Sequence, residues 1–144
     1  PMAMLPFCGY NMADYFRHWL RIGEKADKSK LPKIFFVNWF RRDEDGRFLW
    51  PGYGENSRVL KWVFERIDGK AGAEKTAIGN LPPMDSLDLN GLAIDDRDLR
   101  ELLSLDTNGW REAVPQIRDH FGTFGERLPG QLSARLDELE QSLA

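Results

Sequence analysis

A chain of 144 residues with 42% hydrophobic and 12% aromatic content fits one domain with its own core. Its net charge of −3 and its evenly mixed charges exclude the basic footprint of a nucleic-acid-binding protein. Because Cys8 is the single cysteine and no apolar run approaches the ~18 residues of a membrane span, we expect a reducing, cytoplasmic setting and no disulfide.

The first predicted element is a helix over residues 12–24, with Asn11 as its cap and an apolar face at helical spacing. His18 lies on this helix next to Trp19 without a visible partner, so a structural role is favoured over a catalytic one. The apolar face consists of Met12, Tyr15, Phe16, Trp19 and Leu20.

A strand–turn–short strand unit is predicted over residues 34–50. The continuous apolar run at 34–37 is typical of a strand that is covered on both faces. Turn-forming residues follow at 43–46, and Gly46 can adopt a positive φ. Residues 48–50 then return as the second, shorter strand.

The next segment is predicted to be a constrained loop followed by a helix. Pro51, Gly52 and Gly54 restrict the loop, and Asn56 or Ser57 is expected to cap a helix that ends near residue 68. Residues 69–93 are rich in turn formers and predict irregular structure that packs on the body of the domain.

A helical tail is predicted over residues 95–144. Asp95 and Asp106 each open a helix, and Pro115 predicts a kink or a break in the second one. The leucines of a final helix follow residues 129–130. Packing on the chain's own domain is favoured over a partner coiled coil, because only about two heptads are present.

The aromatic residues between 39 and 53 are the most informative feature of the chain. The set is Trp39, Phe40, Phe48, Trp50 and Tyr53. Aromatic faces beside one amide, here Asn56, are what a protein needs to hold a flat purine base and to read its edge. The alternative is a small aromatic core under a turn.

Segments 6–11, 31–40, 48–58 and 91–92 resemble the C-terminal part of the GTP-dependent phosphoenolpyruvate carboxykinases. The match is collinear over most of the chain, and its most specific part is the run FLWPGYGENSR at 48–58. The resemblance implies that residues 1–144 are a C-terminal segment of a longer enzyme. It also implies an α/β fold, in which a small mixed sheet with packed helices is the C-terminal part of a larger nucleotide-binding domain.

Within that segment, the resemblance implies a guanine pocket in a strand–loop–helix unit at 31–69. Three phenylalanines and one asparagine enclose the guanine of GTP in the family. The residues at those positions here are Phe40, Phe48, Tyr53 and Asn56, with Gly54 and Glu55 beside them. Tyr53 departs from the usual phenylalanine but keeps the ring face. A capping or surface role is favoured for Glu55.

The reaction that the resemblance implies is the conversion of oxaloacetate and GTP to phosphoenolpyruvate, GDP and CO2 in gluconeogenesis. Mn²⁺ and Mg²⁺ serve it in the family, and we expect their ligands and all catalytic residues outside this segment. The expected partners are a guanine nucleotide and the N-terminal remainder of a monomeric enzyme, and the segment alone is predicted to be inactive. The alternatives are a non-catalytic nucleotide-binding module and a helical protein-interaction module.

Two further patterns are rejected as sites. Residues 69–76 nearly match a phosphate loop, but Glu74 stands where the second glycine is needed and the segment follows a helix. Asp85, Asp88 and Asn90 suggest a calcium loop, but their spacing fails and no terminal glutamate follows.

Overall fold

The computed structural model describes residues 7–144, and within them it contains five α-helices and one two-stranded antiparallel sheet. The chain divides into two compact units: residues up to Pro32 together with Asp106–Ala144, and Lys33–Leu105. Pro6, which belongs to the first resembling segment, lies outside the described residues. None of the helices described for 7–144 is long and apolar enough to cross a membrane.

The first unit begins with helix α1, Met12–Lys25. Asn11 caps it as predicted, because its side-chain oxygen accepts a hydrogen bond from the Ala13 backbone N–H at 2.9 Å. The same side chain donates to the Phe124 carbonyl at 3.2 Å, so the cap also ties α1 to a residue 113 positions further along the chain. Met12 and Ala13 are buried against Phe124 in the core of this unit.

Helices α4, Thr107–Gly122, and α5, Gly130–Ser142, complete the first unit. Asp106 caps α4 through the Gly109 backbone N–H, as predicted. Helix α4 continues through Pro115, so the break considered from the sequence does not occur. Leu136 of α5 and the C-cap residue Leu143 are both buried. The predicted leucine face therefore packs on its own unit.

The second unit contains helix α2, Asn56–Ile67, and helix α3, Asp96–Leu103. Strands β1, Glu74–Thr76, and β2, Gly79–Leu81, form an antiparallel hairpin in the segment predicted to be irregular. Asp95 caps α3 as predicted, by accepting from the Asp98 backbone N–H at 2.7 Å.

The predicted small mixed sheet is found only in part: within residues 7–144 the structure is mostly helical, with one small antiparallel sheet. Residues 34–37 belong to no helix or strand, and Phe35 packs edge-on against Trp62 of α2 with 6.2 Å between the ring centroids. A strand is defined by its hydrogen-bonded neighbour, and no described residue between 7 and 144 pairs with this segment. Its outward side chains, Ile34 and Phe36, are therefore 92% and 96% exposed.

Candidate functional site

A tight hairpin carries the first aromatic residues of the candidate site. Arg42 and Phe48 form one antiparallel bridge, and the Asp43 carboxylate accepts from the backbone N–H of Arg47 at 2.8 Å. Gly46 closes the turn with a φ of 80°, a conformation that favours glycine. The predicted strand–turn–strand unit at 34–50 is thus reduced to this single bridge around its turn.

An ion pair anchors the hairpin to helix α3. The Arg47 guanidinium donates two parallel hydrogen bonds of 2.8 Å to the carboxylate of Asp98, a residue that is buried in the first turn of α3. Two-pronged pairing of this kind fixes geometry as well as charge. The hydrogen bonds from Arg47 lower the pKa of Asp98 below its ordinary value of 3.8.

We predict that Asp98→Asn destabilises the chain at neutral pH. A carboxyl whose pKa is depressed by folding stabilises the folded state above its unfolded-state pKa, and that contribution disappears as the pH falls through the folded-state pKa. The variant should therefore melt a few degrees below the parent at pH 7, and the gap should close as the pH falls below 3.8. Thermal melts across this range are the measurement, with Asp96→Asn as the matched control, since Asp96 is exposed in the same helical turn. A gap independent of pH would show that the ion pair does not stabilise the fold.

Phe40 and Phe48 lie side by side on the outside of the hairpin. Their ring centroids are 6.1 Å apart and the ring planes are inclined by 60°, so they are neighbours but not the two parallel faces of a sandwich. The Arg42 guanidinium lies 4.0 Å from the centroid of Phe48, a cation–π contact that supports the ring. The side chains remain 73% and 45% exposed, respectively.

The loop after the hairpin holds Tyr53 outward. Gly52 has a φ of 77° and Tyr53 a φ of 46°, which is an uncommon backbone conformation for a residue with a side chain. The Tyr53 ring is 98% exposed. The Glu55 carboxylate accepts from the Arg58 guanidinium at 2.5 Å. Arg58 also donates to the carbonyls of Asp88 and Asn90, which fastens the loop to residues 88–90.

Asn56 differs from its predicted capping role. It is the first residue of α2, and its side-chain oxygen accepts a hydrogen bond of 3.0 Å from the indole N–H of Trp50. The turn before the helix is held instead by Ser57, whose hydroxyl donates to the Gly54 carbonyl at 2.8 Å. Trp50 is buried, so this hydrogen bond joins Asn56 to a packing residue.

The structure thus distributes the predicted site residues over the hairpin region, the loop that follows it and the start of α2, and their surroundings differ. Phe40 and Phe48 touch, Tyr53 stands apart in solvent, and Asn56 is tied to Trp50. The supporting residues missed from the sequence are Arg42, Arg47, Arg58 and Asp98. The basic side chains at 41–42 and the glutamate–arginine spacing at 55 and 58 were the available signals for part of this set.

The two patterns rejected as sites both lie in the second unit. Residues 69–76 follow helix α2 and lead into strand β1, the reverse of the strand–loop–helix order of a phosphate loop. The backbone carbonyls of Asp88 and Asn90 accept hydrogen bonds from Arg58, so this loop binds a side chain of the same chain. Among residues 7–144, no group of three or more potential ligands is placed to hold a metal ion.

The face of α1 that contains His18 forms a shallow depression of about 440 Å³. Arg21, Ile22 and Lys25 line it with His18. The His18 ring lies edge-on to Trp19 with 5.6 Å between the centroids, and the structural role favoured from the sequence stays a prediction.

Comparison with known proteins identifies the chain's relatives. Residues 1–142 match the family model described as phosphoenolpyruvate carboxykinase C-terminal P-loop domain. The chain is 56% identical over 144 residues to the phosphoenolpyruvate carboxykinase [GTP] of Neocallimastix frontalis, covering 99% of this chain and 24% of that protein. It is 54% identical over 141 residues to the enzyme of that name in Treponema pallidum (strain Nichols), covering 97% and 23%.

A third relative, the phosphoenolpyruvate carboxykinase [GTP] of Renibacterium salmoninarum, is 49% identical over 143 residues, covering 99% of this chain and 24% of that protein. The chain therefore spans about a quarter of the length of the curated relatives it matches. The family resemblance inferred from residues 31–58 is confirmed. The chain belongs to the GTP-dependent phosphoenolpyruvate carboxykinase family, within the region of its C-terminal P-loop domain.

Proposed function

We propose that this chain is the guanine-selecting part of a GTP-dependent phosphoenolpyruvate carboxykinase, which converts oxaloacetate and GTP to phosphoenolpyruvate, GDP and CO2. In this proposal Phe40, Phe48 and Tyr53 supply ring faces for the base, Gly54 admits it close to the backbone, and Asn56 reads its edge. The names of these relatives support the reaction, and the chain corresponds to 23–24% of each of those proteins.

The observation that carries the proposal is the exposure of the three rings. Aromatic side chains that serve as core are buried, as Trp50 and Trp62 are at 5% each. Phe40, Phe48 and Tyr53 are 73%, 45% and 98% exposed. An exposed aromatic group held by a hairpin and an ion pair argues for a ligand surface, and against the small aromatic core that the sequence left open.

The chemistry of a purine explains why both rings and an amide are needed. Stacking of a base on aromatic faces contributes about 1–3 kcal/mol per base, but every base has such a face. Selection comes from hydrogen bonds at the base edge, where a mismatched group is left unpaired. Because Phe40 and Phe48 are inclined by 60°, we infer that one ring rotates when the base enters.

The metals and the phosphoryl transfer belong, in this proposal, to the remainder of the polypeptide. Mn²⁺ and Mg²⁺ neutralise charge in phosphoryl transfer, which needs clustered carboxylate, imidazole or hydroxyl ligands. The described residues 7–144 place no group of three or more histidine, cysteine, aspartate or glutamate side chains to hold a metal ion. They therefore do not fit a metal site, and we assign this chain no step in the chemistry.

The remainder of the same polypeptide is also the proposed structural partner of this chain. Side chains at 34–40 alternate strictly between partly covered and exposed, as in a strand. Phe35 faces α2, while Ile34 and Phe36 face solvent almost completely. A run that is apolar on both faces fits a strand inside a larger sheet, and we propose that the neighbouring strands come from the rest of the enzyme.

Asn56→Ala tests the proposed function. We expect weaker binding of guanine nucleotides to the intact enzyme and a smaller preference for GTP over ATP in kcat/KM, by roughly 5- to 100-fold, the range of one edge hydrogen bond. Asn108→Ala is the control, because Asn108 is an exposed asparagine in the first turn of α4. If Asn56→Ala leaves the preference for GTP over ATP unaltered, the proposal that Asn56 selects the base is contradicted.

A further inference from the structure

The hydrogen bond between Trp50 and Asn56 has a consequence for base choice. The indole N–H of Trp50 lies 3.0 Å from the Asn56 side-chain oxygen. We propose that Trp50 is a positioning residue which turns the amide of Asn56 so that its NH2 group faces the ligand, and that this selects 6-keto over 6-amino purines. The inference rests on the proposed function of Asn56 and adds to it a residue that does not touch the base.

The orientation of the amide follows from donor and acceptor chemistry. An indole N–H can only donate, so the Asn56 atom that faces it must be the oxygen. The NH2 group then points to the other side of the planar amide, away from Trp50. A flipped amide would set two donors against each other and leave the indole N–H without an acceptor.

Burial makes that flip costly at this position. Trp50 is 5% exposed and the neighbouring Leu49 is 2% exposed, so water has little access to the indole. Asn56 is half-buried at the start of α2, where its backbone is already fixed by the helix. The donor that would lose its partner is therefore the buried one, and this keeps the Asn56 amide in a single orientation.

The two N–H donors of the fixed Asn56 amide distinguish purines by the group at carbon 6. Guanine and hypoxanthine carry a keto oxygen at carbon 6, which accepts a hydrogen bond from an NH2 group. Adenine carries an amino group there and would meet donor with donor. The contact does not require the 2-amino group of guanine, so it separates GDP and IDP from ADP without separating GDP from IDP.

Trp50→Phe in the intact enzyme removes the indole N–H and keeps an aromatic ring. We expect the ratio of GDP to ADP affinity, measured by calorimetric titration, to fall about tenfold, while the ratio of GDP to IDP affinity stays constant. Trp62→Phe is the matched control, because Trp62 is equally buried at 5% and its indole N–H has no hydrogen-bond partner among the described residues. That control should leave both ratios unchanged.

A double variant separates positioning from packing. If Trp50 acts through Asn56, adding Trp50→Phe to Asn56→Ala should lower the GDP to ADP ratio no further than Asn56→Ala alone. An additive loss would overturn the positioning role. A shifted ratio in Asn56→Ala with an unshifted one in Trp50→Phe would also overturn it, and would leave the proposed function standing. No shift in either variant would instead reject the proposed function itself.

Asn56→Asp provides a test that leaves Trp50 in place. One carboxylate oxygen can accept from the indole, and the other then presents an acceptor where the NH2 group was. The GDP to ADP affinity ratio should fall below that of Asn56→Ala. The new acceptor repels the keto oxygen of guanine and accepts a hydrogen bond from the amino group of adenine. Both nucleotides carry the same phosphates, so the added charge cancels in the ratio. A ratio equal to or above that of Asn56→Ala would overturn the inference.

Discussion

The 144-residue chain alone should show no carboxykinase, decarboxylase or nucleotide-hydrolysis activity. Phosphoryl transfer needs phosphate ligands and metal ions that neutralise the developing charge. The one near match to a phosphate loop carries Glu74 in place of glycine and lies between a helix and a strand. Nucleotide binding by the chain should also be weak, because in the proposed role this chain contacts the base and does not contact the phosphates.

The measurement is a coupled assay of the purified chain with Mn²⁺, GTP and oxaloacetate, repeated after addition of the remaining portion of the polypeptide. Restored turnover upon that addition is the positive control for a folded and competent segment. Turnover by the chain alone that is abolished by Phe40→Ala would mean that the segment contains the catalytic machinery, and would contradict both its proposed role and its dependence on the remainder.

Helices were predictable because their signals are local. Asn11, Asp95 and Asp106 each accept from a backbone N–H two or three residues ahead, so residue type and spacing specify where a helix begins. Asn56 shows the limit of this reasoning. It was an equally good cap by type, but its oxygen is taken by Trp50, and the helix begins without a side-chain cap.

The supporting contacts of the candidate site were not predictable, because they join distant residues. Arg47 and Asp98 are 51 positions apart, and Arg58 reaches carbonyls 30 and 32 positions away. Nothing in the local pattern around either arginine specifies these partners. The aromatic residues themselves were found from composition and family resemblance, whereas their exposure, which separates a ligand surface from a core, required the folded structure.

The part of the predicted sheet that is not seen has a different cause, and it leads to a second large expected effect. The pattern at 34–37 specifies a strand, but a strand needs neighbours, and the described residues supply none. If those neighbours lie in the rest of the enzyme, hydrogen exchange at the amides of residues 34–37 should slow by at least about 1,000-fold in the intact polypeptide relative to this chain. The amide of Glu44, in the hairpin turn, should change little.

Phe36→Asp tests the same idea through the side chain. In this chain the substitution should barely alter stability, because Phe36 is 96% exposed. In the intact enzyme it would place an unpaired charge between packed layers, and we expect a loss of about 4 kcal/mol or more. Each form of the protein serves as the other's control, since the residue replaced is identical. Equal and small effects in both, with fast exchange at 34–37 in the intact enzyme, would show that this segment stays outside any sheet and that Ile34 and Phe36 face solvent there as well.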